Sequence, residues 1–125
     1  MGTQIICFSD TDLGSFLRAS SSEALDELDF GVIGMDRQGV VCEFNRYELK
    51  LASLKRENAI GKNFFIQIAP CTNNNLIAGK YLQSAQKTDV ILDYIFTYRI
   101  KPTSVRLRII IDLNEKKQFL LVQQQ

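Results

Sequence analysis

The sequence predicts a single α+β domain built on an antiparallel sheet with helices packed on one side. Two observations carry this. β-prone apolar segments come as two near the start and three at the end, with a run of short helical and turn-like segments between them. The chain is also the right size: 125 residues, 46% hydrophobic and 23% charged, bury one core without metal or disulfide staples. Composition narrows the partners as well. A net charge of +1 gives no strong field toward nucleic acid or anionic lipid. Three widely spaced cysteines are not a disulfide framework. The amino terminus lacks a basic region followed by an apolar stretch, and no apolar run approaches the length of a membrane span. A reducing, cytoplasmic setting is expected.

The elements follow in order. Residues 10–18 put Leu13, Phe16 and Leu17 on one side of a turn that can dock weakly on a larger body. Ser20 with Glu23 three positions on matches a capping box, opening a short helix through about Leu28. Such a cap is expected to detach at low cost, since little apolar area lies beneath it. The expected division is a helical cap at 1–29 and the fold proper at 30–125.

Gly31–Met35 and residues 40–44 read as strands, with a polar hairpin turn at 36–39. Asn45 stops the second strand and reads as a helix N-cap, with Glu48 at the third helical position. Short polar turns carry Arg46, Lys50, Lys55 and Arg56 as far as Asn58. Residues 72–75 form a turn, and 76–87 an amphipathic helix with Leu76, Ile77, Tyr81, Leu82 and Ala85 on one face. Residues 89–98 then place Val90, Leu92, Tyr94, Phe96 and Tyr98 on one face of a strand. Residues 103–112 do the same with Val105, Leu107, Ile109 and Ile111, opposite Arg106 and Arg108. A turn at 114–117 and a last strand at 118–122 close a five-stranded sheet.

The segment 61–72, GKNFFIQIAPCT, stands at the centre of this plan. It delivers Cys71 from an apolar, aromatic run ending in proline. A nucleophilic cysteine wants a histidine as its base, and the chain has none. It also lacks a metal-ligand cluster, a Gly-rich phosphate loop and a CxxC pair, so an enzyme is not expected. A buried thiol without a base can still be the attachment point of a permanently carried group.

The order of elements is that of PAS domains, and the motifs make the resemblance narrower. GKNFF at 61–65, APCT at 69–72, Asn45 with Glu48, and YIFTY at 94–98 followed by Pro102 and Thr103 resemble the photoactive yellow protein family. The similarity runs from about Phe30 to Val122 and, more weakly, through the cap. What it implies is a five-stranded PAS sheet flanked by helices and a blue-light photoreceptor. The family carries 4-hydroxycinnamic acid as a thioester on the cysteine, here Cys71. Glu48 would hold the buried phenolate as a hydrogen-bond donor and give up its proton after trans–cis isomerisation. The cap would then loosen around an expensive buried charge. Phe44, Ala52, Leu54, Phe64, Ala69, Thr72, Phe96, Tyr98 and Ile100 would line the chromophore.

For Glu48 the residues alone leave two environments open. It can be a capping-box carboxylate bonded back to the Asn45 amide, or a buried neutral carboxyl able to donate to a phenolate. Phe64, Phe65, Tyr94, Phe96 and Tyr98 are core aromatics of any PAS domain unless Cys71 carries a group.

The chain departs from the family at several positions. Phe44 stands where a tyrosine usually donates to the phenolate. Losing that charge-assisted bond is expected to cost about 1.5–3 kcal/mol and raise the phenol pKa by roughly one to two units. The dark state is then a mixture of phenolate and phenol, or a phenolate of shifted absorption. Tyr47 points elsewhere, and Ala52 removes a further hydroxyl. Leu54 replaces a shielding arginine, for which Arg46, Lys50 or Arg56 could substitute. Ile100 replaces a methionine that assists thermal return, so slow dark recovery is expected. The helix before Asp89 is about two residues shorter than in the family. With no output domain in these residues, the expected partner is a separate downstream signalling protein, met by a monomer or weak dimer. The alternative is a PAS module for protein interaction or ligand binding that has lost photochemistry.

Overall fold

The structure, a computed structural model, describes residues 6–83, 86–97 and 102–125. Two short helices, α1 (Leu13–Ala19) and α2 (Ser22–Asp26), precede strands β1 (Gly31–Met35) and β2 (Val41–Phe44). Helix α3 (Arg46–Ala52) follows, then three single-turn segments: 3-10 turns at Arg56–Asn58 and Pro70–Thr72, and a π turn at Phe64–Ile68. Helix α4 (Ala78–Gln83) leads to β3 (Thr88–Phe96), β4 (Thr103–Ile111) and β5 (Gln118–Gln124). All pairings are antiparallel, in the order β2-β1-β5-β4-β3. The central place of β5 explains its five consecutive buried residues, Gln118 to Val122.

The hairpin between β1 and β2 forms where expected. Asp36 Oδ1 accepts from the Gln38 and Val40 amides, and Gly39 takes φ +94°. A Cβ at Gly39 would come within 2.7 Å of the Phe65 ring, so this turn both bends and lets the central segment pack closely. Helix α4 is shorter than the expected 76–87: Leu76 precedes it and is 49% exposed, as Asn74 Oδ1 accepts from the Ile77 amide and starts the helix there. The α2 cap is also one residue later than expected. Ser21 Oγ accepts from the Ala24 amide, while Ser20 Oγ donates to the Phe16 carbonyl at the end of the previous helix. The helix stops at Asp26, two residues before the expected end, where the Glu27 and Leu28 amides donate to the Ala24 and Leu25 carbonyls in 3-10 fashion.

Two cores lie on the two faces of the sheet. The inner one gathers Ile33, Met35, Val41, Phe44, Phe64, Phe65, Tyr81, Phe96, Leu107 and Leu120 with their neighbours. The outer one joins Phe8, Leu13, Leu17 and Leu25 of the cap to Phe30, Val32, Ile110, Phe119 and Leu121. Two expectations are corrected here. Helices cover both faces, and the cap is no weakly docked appendage, because Leu13, Leu17 and Leu25 are each at most 2% exposed. The signal lay in Val32, Ile110, Phe119 and Leu121, apolar residues on the side of each strand that a one-sided sheet would leave wet.

Arg108 fastens the cap further. Its guanidinium donates to the Phe8 and Asp10 carbonyls at 2.9 and 2.7 Å and pairs with both Asp89 oxygens at 2.8 and 2.9 Å. The hydrogen bond to Asp89 pushes its pKa up, against the opposing effect of burial, so it stays charged. A residue that alternation assigns to solvent is thus 6% exposed. Among the described residues no helix is long and apolar enough to cross a membrane.

Substituting Leu17→Ala, on the outer core, is expected to destabilise the protein by about 2–5 kcal/mol. Chemical denaturation measures it. A loss below about 1 kcal/mol would restore the picture of a loosely held cap.

Candidate functional site

Asn45 organises the site. As N-cap of α3, its Oδ1 accepts from the Glu48 amide at 3.2 Å and from the Val32 amide at 2.9 Å. Its Nδ2 donates to the Leu25 and Phe30 carbonyls, both at 2.9 Å. One buried amide therefore ties together the cap, β1 and the helix that carries Glu48.

Glu48 itself is 0% exposed. The Asn45 amide, which a capping box would give to the Glu48 carboxyl, donates to the Val32 carbonyl. Of the two environments open to Glu48, the structure therefore shows the buried one. The carboxyl lies against β1 at Gly31. A Cβ at position 31 would overlap Glu48 Oε1 and stand 3.2 Å from Val122 Cβ, so glycine is the residue that makes room for this carboxyl.

The second pole is the segment around Cys71. The Gly61 amide donates to the Val41 carbonyl at 2.8 Å, the Val41 amide to the Lys62 carbonyl at 2.9 Å, and the Phe64 amide to the Gly39 carbonyl at 2.8 Å. These bonds bind the segment to the β1–β2 hairpin. Asn63 caps the π turn through the Phe65 and Ile66 amides, and the Ala69 amide closes it on the Phe64 carbonyl. Pro70 then opens the 3-10 turn that presents Cys71, with Thr72 Oγ1 donating to the Ala69 carbonyl at 2.7 Å. The expectation of a buried thiol is corrected: Cys71 is partly exposed, packed at the border of the inner core.

Most of the residues expected at the site come together. Phe44, Ala52, Phe64, Ala69 and Phe96 are buried in the inner core, Leu54 and Cys71 pack against it, and Thr72 is buried beside Cys71. Tyr98 and Ile100 lie outside the described residues. A partly exposed thiol and a fully buried carboxyl thus border one apolar, aromatic cluster. That donor set suits a planar organic group attached at Cys71 whose far end offers an oxygen to Glu48. Several polar side chains of this half of the molecule have partners of their own. Tyr47 Oη accepts from the Gln124 amide on β5, as expected of a tyrosine that points elsewhere. Tyr81 Oη donates to the Phe119 carbonyl, and its complete burial pushes its pKa well up. Arg56 sits between the cap and the inner cluster. It pairs with Asp26 at 2.6 Å and donates to the Phe44 carbonyl at 3.3 Å, a second tie between cap and core. Arg46 and Lys50 are exposed.

Sequence reasoning missed one residue. Tyr94, expected as a core aromatic, donates its hydroxyl to the Cys71 carbonyl and accepts from Asn74 Nδ2 at 2.7 Å. Its place two residues before Phe96 on the same strand face was the available signal. Val90, assigned to that face, is 39% exposed at the start of the edge strand.

A family model described as the PAS fold matches residues 21–125. Photoactive yellow protein of Rhodothalassium salexigens is 30% identical over 106 residues, 83% of this chain and 85% of that one. The photoactive yellow protein of Cereibacter sphaeroides is 34% identical over the same shares. Among solved structures, the photoactive yellow protein domain of the sensor histidine kinase Ppr from Rhodospirillum centenum superposes with a TM-score of 0.79 at 27% identity, covering 87% of this chain and 97% of that domain. With its five-stranded sheet and the two poles at Glu48 and Cys71, the chain belongs to the photoactive yellow protein family of PAS-fold proteins.

Proposed function

We propose that this protein is a blue-light photoreceptor carrying 4-hydroxycinnamic acid as a thioester on Cys71. The observation that carries the reading is the fully buried Glu48 in a space that Gly31 keeps clear, on the same apolar cluster that Cys71 borders. The bound group supplies a light-driven trans–cis isomerisation. Cys71 anchors it from a turn pinned to the β1–β2 hairpin. Glu48 would donate a hydrogen bond to its phenolate oxygen and, on illumination, pass that proton to the same oxygen, leaving a carboxylate and a neutral phenol. A charged carboxylate in the apolar core then costs several kcal/mol. Asn45 passes this to the cap, because the same side chain caps the Glu48 helix and holds the Leu25 and Phe30 carbonyls. The result is a switch and not a turnover catalyst. A cytoplasmic setting and a separate downstream signalling protein belong to this proposal.

A second reading has a specific observation in its favour. Phe44, Ala52 and Leu54 present no hydroxyl or cation to the inner cluster, which suits an apolar ligand or an interaction module as well as a phenolate. Reconstitution separates the two. Mixing the protein with activated 4-hydroxycinnamic acid is expected to give a visible band that needs Cys71, bleaches in blue light and returns in the dark. An adduct that fails to form, or forms equally on Cys71→Ala, or ignores light, favours the interaction module.

The polarity of position 44 can be read on the same adduct. Phe44→Tyr restores a donor in the inner cluster, and the phenol is expected to titrate lower by about one to two pKa units. The sign follows from a bond made to the charged form alone. A pH titration of the visible band gives the midpoint, and an unmoved midpoint would show that residue 44 does not reach the phenol.

A further inference from the structure

We propose that Tyr94 is a positioning residue for Cys71, a clamp by which the edge strand β3 fixes the attachment turn; its role in the light response rests on the photoreceptor reading above. The backbone explains why a clamp is needed. Within the 3-10 turn, the Thr72 amide donates to the Ala69 carbonyl and the Asn73 amide to the Pro70 carbonyl. The Asn74 amide, which would continue the pattern to Cys71, donates to the Thr72 carbonyl instead. The Cys71 carbonyl is left over at the turn's end, and a carbonyl in that position must be met from elsewhere.

Two side chains meet it. The Tyr94 hydroxyl donates to the Cys71 carbonyl, and Asn74 Nδ2 donates both to that carbonyl at 3.2 Å and to the Tyr94 oxygen at 2.7 Å. The three groups close a triangle in which each polar atom has a partner. Each corner is also fixed independently. Tyr94 pairs with Val105 in the β3–β4 ladder, and its ring sits edge-on to Phe96, centroids 6.1 Å apart at 81°. Asn74 Oδ1 accepts from the Ile77 amide at the start of α4. The plane of the peptide that follows Cys71 is thereby referred to the sheet and to α4 at once.

That carbonyl is bonded to the α-carbon that bears the thiol side chain, so holding it fixes the backbone torsion at Cys71 and with it the direction in which the Cα–Cβ bond carries Sγ, toward the inner core. Cys71 is partly exposed and sits in a one-turn segment, which by itself would leave the thiol free to turn outward. Tyr94 accordingly keeps Sγ against the apolar cluster, where an attached planar group would extend toward Glu48.

The test begins on the protein without chromophore. Alkylation by iodoacetamide is followed separately at Cys71, Cys42 and Cys7, the last two being exposed and distant in sequence from the turn. Tyr94→Phe is expected to raise the Cys71 rate by about five-fold, the weight of one neutral hydrogen bond, with the Cys42 and Cys7 rates unmoved. Asn74→Ala should shift Cys71 in the same direction. A Cys71 rate changed by less than about two-fold in both variants overturns the clamp. So does a rise shared by all three thiols, which marks general loosening. On the loaded protein, Tyr94→Phe should change the dark-recovery rate. If the thiol result holds and the wild-type adduct ignores light, the clamp stands and the photoreceptor reading falls. A normal light response with equal thiol rates does the reverse.

Discussion

The buried side chain of Asn45 is the interaction on which the rest depends. Four backbone groups from three parts of the chain converge on it: the amides of Val32 and Glu48 and the carbonyls of Leu25 and Phe30. A buried amide side chain with every polar atom satisfied is rigid, and removing it strands several backbone groups at once. It decides where α3 begins, and therefore where Glu48 points. It also decides where the cap ends. One amide thus joins the helix that carries Glu48 to α2 on the opposite face of the sheet.

The energetics fit a switch. The cap covers a full second core and is held by Arg108, by Arg56 with Asp26, and by Asn45, so it does not fray on its own. Apolar burial there is nevertheless opposed by the backbone entropy that ordering the cap removes, which is large for short helices. The net cost of release is a difference between large terms. On the proposed reading, a buried charge at Glu48, worth several kcal/mol, acts on that difference.

Much of this was legible in the sequence. Period-two alternation placed β3 and β4, and Asp36–Gly39 chemistry set the first turn. The N-x-x-E spacing announced the α3 start, though not which way Glu48 turns, since a capping box and a buried carboxyl share that spacing. What settles the choice is Gly31, fourteen positions and one strand pairing away from the motif's start. The outer core was missed for a related reason. Leu13 and Leu17 were visible as an apolar stripe, but the surface that receives them is assembled from Val32, Ile110, Phe119 and Leu121 on three different strands. The Tyr94 clamp was only faintly legible: its place two residues before Phe96 put it on the right strand face, but a hydroxyl meeting a backbone carbonyl has no spacing signature. Cys71 was found by motif, and its partial exposure follows from the turn that Pro70 starts at the border of the core.

The central claim is that a charge change at Glu48 releases the cap through Asn45. Amide hydrogen exchange on the reconstituted protein, in the dark and under continuous blue light, addresses it most directly. The account predicts that residues 6–28 lose protection under illumination while β4 and β5 keep theirs. Bleaching of the visible band with cap protection unchanged would contradict it.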